Sequence, residues 1–145
     1  MNLSHAPLRL AIGAFVLNSG ISKLTLEGQA AEGLHGMAAG AVPPLRRLDA
    51  PTFARLLAGT EIAIGSALLL PVVPSALVGA GLLGLGGGLM RVYWATPGLR
   101  RQGSVRPTEP GTAIAKDSWL VGAGLTLILD DLLHRGRRLK RRRHR

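Results

Sequence analysis

The chain has 145 residues, of which 47% are apolar and 20 are glycine, and its formal net charge is +10. It contains no cysteine, which excludes disulfides, thiol relays and cysteine-ligated iron–sulfur clusters. A water-soluble domain of this size would mix charged residues into its apolar runs, whereas this sequence keeps charge out of them. Length and composition therefore predict one all-α bundle in a membrane, with no room for a second domain.

The first predicted element is an apolar helix over residues 8–26, which is long enough to span a bilayer. It carries Arg9 at its start, Asn18 near its middle and Lys23 near its end. A cleaved signal peptide is the competing interpretation, because small residues follow at 29–31. The position of Lys23 after the apolar core, with no Lys or Arg ahead of Arg9, favours a retained span.

A glycine-rich, mildly amphipathic segment follows, with Leu34, Met37 and Ala41 at helical spacing. It predicts a short helix at the membrane surface that ends at Pro43-Pro44.

Residues 56–90 form the most apolar stretch, and Glu61 is its only charged residue. A single helix of that length would measure about 52 Å, far more than the roughly 30 Å of a bilayer core. Prolines at both ends of segment 71–74 interrupt it, since proline cannot continue a helix smoothly. The stretch therefore predicts a hairpin of two spans, over residues 53–70 and 75–95.

The remaining predicted elements are a loop rich in proline and arginine over residues 96–112, a fourth span over 113–133 and a basic tail over 134–145. Tyr93 and Trp94 end the third span as an interfacial aromatic belt would. The tail contains eight Lys or Arg residues, so the positive-inside rule predicts that both termini are cytoplasmic. The sequence thus predicts a four-helix, multi-pass membrane protein with cytoplasmic termini, with residues 1–133 as the membrane domain.

The basic tail directly follows a span, and this position favours binding to anionic lipid headgroups. A protein partner is the main alternative. Nucleic acid is disfavoured because the tail has no aromatic residue for base stacking. The predicted anchoring residues are Arg137, Arg138, Lys140, Arg141, Arg142 and Arg143.

Several ionisable groups fall inside the predicted spans, in the outer half of the bundle. A charged side chain there is costly, so these groups are expected to face inward, to pair and to serve a function. Glu61 is a candidate for proton handling, or for a protonated acid that hydrogen-bonds Asn18. Three bases and two acids would leave the cluster net positive and suited to an anionic or electron-rich ligand. The alternative is a purely structural cluster in which the long bases extend to lipid headgroups. The candidate residues are Asn18, Lys23, Glu61, Arg91, Lys116 and Asp117.

Two other features of the sequence, a glycine motif and the histidines, do not predict a function. The segment 79–84 matches the dinucleotide fingerprint G-x-G-x-x-G, but it lies within a span, where Ala80, Gly84 and Gly88 predict a helix-contact face instead. None of the four histidines falls in a span, which disfavours a haem, and no spacing predicts a metal site.

Three short motifs resemble the DoxX family of small bacterial and archaeal membrane proteins. The first span contains LRLAIG at 8–13 and GISKL at 20–24, and the second contains TEIAIGSALLL at 60–70. The fourth contains Lys116-Asp117 followed by LVGAG at 120–124, similar to the Lys-Asp motif of the family. The resemblance covers roughly residues 8–133 and implies a four-helix membrane bundle.

The family takes its name from a subunit of an archaeal thiosulfate:quinone oxidoreductase, and other members are linked to redox homeostasis. The resemblance therefore implies an accessory subunit of a membrane-associated oxidoreductase system, whose cavity takes a quinone headgroup or a small sulfur oxyanion. Expected partners are a soluble oxidoreductase, another membrane subunit or a second copy. No resident cofactor is predicted other than a quinone. Catalysis stays open: the alternatives are a quinone-linked oxidoreductase in its own right and a small-solute transporter.

Overall fold

The computed structural model describes residues 5–143, and the side chains of residues 5–134. The described chain is all-α, with a short 3-10 helix at Pro43–Arg47. Its helices are α1 (Ala6–Lys23), α2 (Gly28–Ala41), α3 (Ala50–Leu69), α4 (Ser75–Ala95), α5 (Glu109–Ala115) and α6 (Ser118–Arg143).

Three helical segments of the described chain are long and apolar enough to cross a membrane. They are α3, α4 and the segment Glu109–His134, which comprises α5 and most of α6. Large apolar side chains lie on their outer surfaces, such as Leu56, Leu77 and Leu129, each more than half exposed. An exposed apolar surface of this kind marks a membrane or protein contact. The predictions of long apolar helices over 53–70 and 75–95 are confirmed, whereas the predicted fourth span is broken by a turn at Lys116-Asp117.

Local chemistry sets the helix boundaries. The Asp49 carboxylate caps α3 by accepting a hydrogen bond from the Thr52 backbone N–H at 3.0 Å, and this contact lowers the pKa of Asp49 below its ordinary value. Pro51 lies in the first turn of α3, where its missing N–H costs nothing. The predicted turn between α3 and α4 is present at 70–74. A helix also lies where the amphipathic segment predicts one, and α2 ends just before Pro43.

The long helices pack as two antiparallel pairs, α1 with α3 and α4 with α6. Glycine allows the backbones to approach closely in both pairs. A Cβ added at Gly65 of α3 would lie 2.5 Å from the Leu17 nitrogen in α1, and a Cβ added at Gly124 of α6 would lie 2.7 Å from the Gly79 carbonyl oxygen in α4. Any side chain at these positions would force the two helices of a pair apart.

The predicted contact face at Ala80, Gly84 and Gly88 is wrong. Ala80 is exposed, and a Cβ added at Gly84 or Gly88 would meet no atom within 4 Å. The glycines of α4 that contact α6 are Gly79 and Gly86. The four-residue spacing correctly identifies one helix face, but it does not reveal what that face contacts.

A buried apolar cluster joins the two pairs. Leu68 of α3, Leu82 of α4 and Leu127 of α6 are each at most 1% exposed, and Val16 contributes from α1. The other members are Val78, Leu120 and Ala123. All four long helices therefore share one core, which lies towards the end of the bundle that carries the α3–α4 turn.

Arg9 is buried beside this core with only 2% of its surface exposed. The sequence indicates a charge at the start of a span, whereas the structure places the guanidinium against the C-terminal end of α3. There it donates to carbonyl groups that the helix itself leaves without partners. The acceptors are the oxygens of Leu68 (2.9 Å), Ala67 (2.9 Å), Leu70 (2.8 Å) and Val73 (3.1 Å) and the Ser75 hydroxyl (3.4 Å).

The aromatic residues at the end of α4 differ in role. Trp94 is half exposed, with the Arg100 guanidinium stacked 4.4 Å from its ring centroid. Tyr93 is 4% exposed and donates its hydroxyl to the Val105 carbonyl oxygen at 2.8 Å. Trp94 can therefore serve the predicted interfacial belt. The predicted belt role is wrong for Tyr93, which is buried and holds the loop after α4 through its hydroxyl.

Candidate functional site

A cavity of about 520 Å³ lies between the two helix pairs, at the end of the bundle where α1 ends and α6 begins. Its walls come from the four long helices, and α2 covers it with Leu34, Met37 and Ala38. Leu45 of the 3-10 helix, Phe53 in the first turn of α3, and Ala113 and Ile114 of α5 add further apolar lining. The lining is largely apolar, and its polar side chains are concentrated on α1, α3 and the α5–α6 turn.

The buried part of the polar lining is an ion pair between α1 and α3. Lys23 Nζ lies 2.8 Å from Oε2 of Glu61, which is 4% exposed. The same ammonium donates to the Ser19 hydroxyl at 2.6 Å and to the Ser19 carbonyl oxygen at 3.2 Å. An ammonium has three N–H donors, and these contacts use all of them. Because a carboxylate can accept about four hydrogen bonds, Glu61 keeps acceptor capacity on the cavity side.

Lys116 and Asp117 border the cavity from the turn between α5 and α6. Lys116 is exposed, and its Nζ lies 5.8 Å from the ring centroid of Phe15 on α1, within the range of a cation–π contact. Asp117 is partly buried and interacts electrostatically with Lys116, Glu61 and Lys23. The structure therefore brings together four of the six predicted site residues.

The other two lie elsewhere. Arg91 does not line the cavity; its Nε donates to the Ala41 carbonyl oxygen at 2.8 Å and ties α4 to the end of α2. Asn18 is exposed, so the predicted hydrogen bond between Asn18 and Glu61 is wrong. Asn18 and Glu61 are predicted to lie at similar depths in the bundle, but on α1 the residue that lines the cavity is Ser19, which follows Asn18.

Without Arg91, the charged side chains that line the cavity have a different net charge from the one predicted. Lys23 and Lys116 stand against Glu61 and Asp117, so the charged lining of the cavity is balanced when all four are ionised. The predicted excess of positive charge is therefore not present in the cavity. A free anion would find no unpaired buried cation among the described lining residues, because Lys23 is already held by Glu61 and Ser19.

Sequence reasoning missed the residues that give the cavity its shape. Ser19 lies four residues before Lys23 on one helix face, a spacing that could have identified the pair. Phe15 and the two glycines of α4, Gly84 and Gly88, line the cavity without any polar signal. The residues that α2 contributes depend on its placement over the bundle, which the pattern of α2 alone does not contain.

A second ionisable cluster occupies the opposite end of the bundle. Asp130 Oδ2 lies 3.1 Å from His5 Nε2 and 3.1 Å from His134 Nδ1, and the second contact joins residues four apart on α6. The predicted anchoring side chains at 137–143 lie outside the described side chains. Among the described residues no group of three His, Asp or Glu side chains has the geometry of a metal site.

Fold and site together define an all-α protein with three candidate membrane-spanning helices and a largely apolar cavity that holds a buried ion pair. No protein-family model, curated protein or solved structure matches this chain.

Proposed function

We propose that the chain crosses the membrane four times, with α1 as the additional span. α1 has 18 residues and is therefore about 27 Å long. Its two charged residues lower its mean hydropathy, but both face the protein: Arg9 donates to carbonyl groups of α3, and Lys23 pairs with Glu61. Most side chains on its outer surface are apolar, among them Leu10 and Ile21, each more than half exposed, and Asn18 and Ser22 are the exposed polar residues of this helix. Inward-facing, paired charges are the usual arrangement inside a bilayer.

Four spans place both termini on one side, and the basic tail favours the cytoplasmic side of a bacterial plasma membrane. The cavity then lies in the outer half of the bundle. Since the chain has no cysteine, single cysteines can report this orientation without background. We expect Val105→Cys, in the loop after α4, to react with a membrane-impermeant maleimide on intact cells. Val72→Cys, in the α3–α4 turn, should react only after permeabilisation; both positions are strongly exposed.

Two labelling outcomes would contradict the proposed topology. Reaction of Val72→Cys but not Val105→Cys on intact cells would reverse the orientation. Equal reaction of both positions on intact cells would exclude α4 as a span, because these positions lie at its opposite ends.

We further propose that the cavity binds a small lipid-soluble ligand with a quinone-like headgroup. Its volume of about 520 Å³ falls within the 300–1,000 Å³ typical of small-molecule sites. Such sites combine apolar walls with a few placed polar groups, and here Ser19, Lys23 and Glu61 supply those groups. The observation that carries the proposal is this buried, charge-balanced pair in a largely apolar cavity. It favours an uncharged ring that can accept or donate hydrogen bonds over a sulfur oxyanion.

The resemblance to DoxX proteins supports a role for such binding in a membrane-associated redox system. We propose that the chain acts as an accessory subunit that holds the ligand for a partner oxidoreductase.

Binding can be tested with menadione on the protein purified in mild detergent, by equilibrium dialysis. We expect saturable binding to the wild type and an affinity at least about ten-fold lower for Gly88→Leu. Gly88 lines the cavity, and a Cβ there meets no atom within 4 Å, so leucine fills ligand space without disturbing helix packing. Leucine also favours the helical state relative to glycine, by slightly less than the roughly 0.8–1 kcal/mol that separates glycine from alanine, so lost binding would not reflect lost helix.

The matched control is Gly87→Leu. Gly87 is equally free of neighbours but does not line the cavity, so this variant should bind menadione as the wild type does. Equal affinity for Gly88→Leu and the wild type would place menadione outside the cavity. Absence of saturable binding to the wild type would refute a quinone-like ligand.

A further inference from the structure

The glycines at the helix crossings recur in the two halves of the chain. Gly13 and Gly20 of α1 are spaced as Gly79 and Gly86 of α4 are, and both pairs face the returning helix of their own half. On the returning helices, Gly65 of α3 and Gly124 of α6 occupy the matching positions. Each half is therefore an antiparallel pair in which glycines permit close approach on both helices.

The contacts of these glycines correspond residue by residue. A Cβ at Gly20 would meet Glu61 and the Ile62 nitrogen, and a Cβ at Gly86 would meet Leu120 and the Val121 nitrogen. Equivalent residues of α1 and α4 differ by one constant difference in residue number, and equivalent residues of α3 and α6 differ by a second. The remaining contacts obey the same two differences: Gly13 with Leu68 matches Gly79 with Leu127, and Gly65 with Leu17 matches Gly124 with Leu83.

The core obeys the correspondence as well. Val16 and Leu82 are equivalent and are 2% and 0% exposed, and Leu68 and Leu127 are equivalent and are 1% and 0% exposed. Residues 6–69 and 75–134 are therefore structural repeats. Membrane proteins built from such repeats bind their ligands at the interface between the repeats, which is where this cavity lies.

The two repeats differ in the side chains that they present to the cavity. Four equivalent pairs line it. In three of them the first repeat supplies a polar residue and the second supplies leucine; these pairs are Ser19 with Leu85, Lys23 with Leu89, and Glu61 with Leu120. In the fourth pair, Leu57 with Lys116, the order is reversed, and Lys116 and Asp117 lie in the α5–α6 turn. The buried hydrogen-bonding wall thus belongs to the first repeat, and the long helices of the second repeat contribute leucine.

We propose that this asymmetry fixes the orientation of the ligand and determines its class: a planar ring that carries a carbonyl or hydroxyl on the edge facing Ser19, Lys23 and Glu61. The opposite face of the ring packs on Leu85, Leu89 and Leu120. The inference rests on the proposed quinone-like ligand and adds the residues that distinguish such a ring from a plain hydrocarbon. Leucine at the equivalent positions of the second repeat shows that the same packing accepts an apolar pair.

The test gives the first repeat an apolar wall like that of the second, in the variant Ser19→Ala/Lys23→Leu/Glu61→Leu. The variant includes Ser19 because the three donors of Lys23 are already used, whereas the Ser19 hydroxyl can donate to a ring carbonyl. The probes are menadione and 2-methylnaphthalene, which has the same ring system without the two carbonyls. The wild type should prefer menadione by about ten-fold, the change in affinity that about one net hydrogen bond supplies. The triple variant should lose most of that preference while keeping its affinity for 2-methylnaphthalene. Gly87→Leu, outside the cavity, should leave the preference unchanged.

The outcomes separate the two proposals. If the wild type binds neither probe, the quinone-like ligand itself is wrong. If it binds both probes equally, or if the folded triple variant keeps the preference for menadione, the one-sided polar wall is wrong. Should the triple variant fail to fold, Ser19→Ala alone removes the available hydroxyl donor with little change of shape and must likewise reduce the preference.

Discussion

Glu61→Leu is expected to lower the free energy of unfolding by about 3–5 kcal/mol, since removing one partner of a buried ion pair leaves the other uncompensated. The Lys23 ammonium, with its side chain 20% exposed, would keep Ser19 as a hydrogen-bond acceptor but would lose its counter-ion. The change can be measured by denaturant unfolding in detergent micelles, followed by helical circular dichroism.

The double variant Lys23→Leu/Glu61→Leu is expected to recover most of that loss and to match or exceed the wild type in stability. Replacing both members of a buried pair with apolar residues of similar volume is often neutral, or stabilising by about 1–4 kcal/mol. The second repeat supports this expectation, because Leu89 and Leu120 occupy the equivalent positions within the same bundle. The two substitutions should therefore be strongly non-additive, as contacting residues usually are.

Lys116→Leu is the control for loss of a cavity cation. Lys116 is exposed and its contact with Phe15 is a cation–π interaction, so its removal should cost at most about 1 kcal/mol. The interpretation would be contradicted if Glu61→Leu cost no more than this control. It would also be contradicted if the double variant were destabilised by the sum of the single changes.

The strongest sequence predictions were those that followed from backbone chemistry and desolvation. The prolines at both ends of 71–74 cannot continue a helix smoothly, and the helices on either side end and begin where the sequence predicts. The cost of a bare charge in a bilayer predicted that Lys23 and Glu61 would face inward, and they form one pair. Both predictions depend on the residue and its immediate chain, which the sequence contains.

The predictions that failed required the direction of a side chain around its helix axis. Asn18 and Arg91 have depths similar to those of Glu61 and Lys23, yet Asn18 faces outward and Arg91 faces the end of α2. Depth follows from the position along a helix, whereas direction depends on which neighbours the helix has. The position of α2 over the cavity, which determines the partner of Arg91, is a tertiary contact that no local pattern encodes.

Arg9→Leu is expected to destabilise the protein as severely as Glu61→Leu, by about 3–5 kcal/mol. It would remove the guanidinium donor from the carbonyl groups at the end of α3 and in the following turn; of these, the Leu70 carbonyl oxygen would keep only the Val73 N–H as a donor. It would also remove a cation from the negative end of the α3 dipole, an interaction worth up to about 2 kcal/mol where it is partly buried. Arg9→Lys should rescue the protein only in part. A lysine carries three donors on one atom, whereas the guanidinium directs five donors across a plane and here contacts five different residues.

Denaturant unfolding and limited proteolysis of the α3–α4 turn would measure the effect of Arg9. The turn should become cleavable in Arg9→Leu, because Val73 and Leu70 lose the contact that orders them. Arg55→Leu is the matched control: Arg55 is exposed on α3, and its loss should change stability by less than about 0.5 kcal/mol. If Arg9→Lys were as stable as the wild type, the positive charge alone would account for the stabilisation, and the five hydrogen bonds of the guanidinium would not be needed.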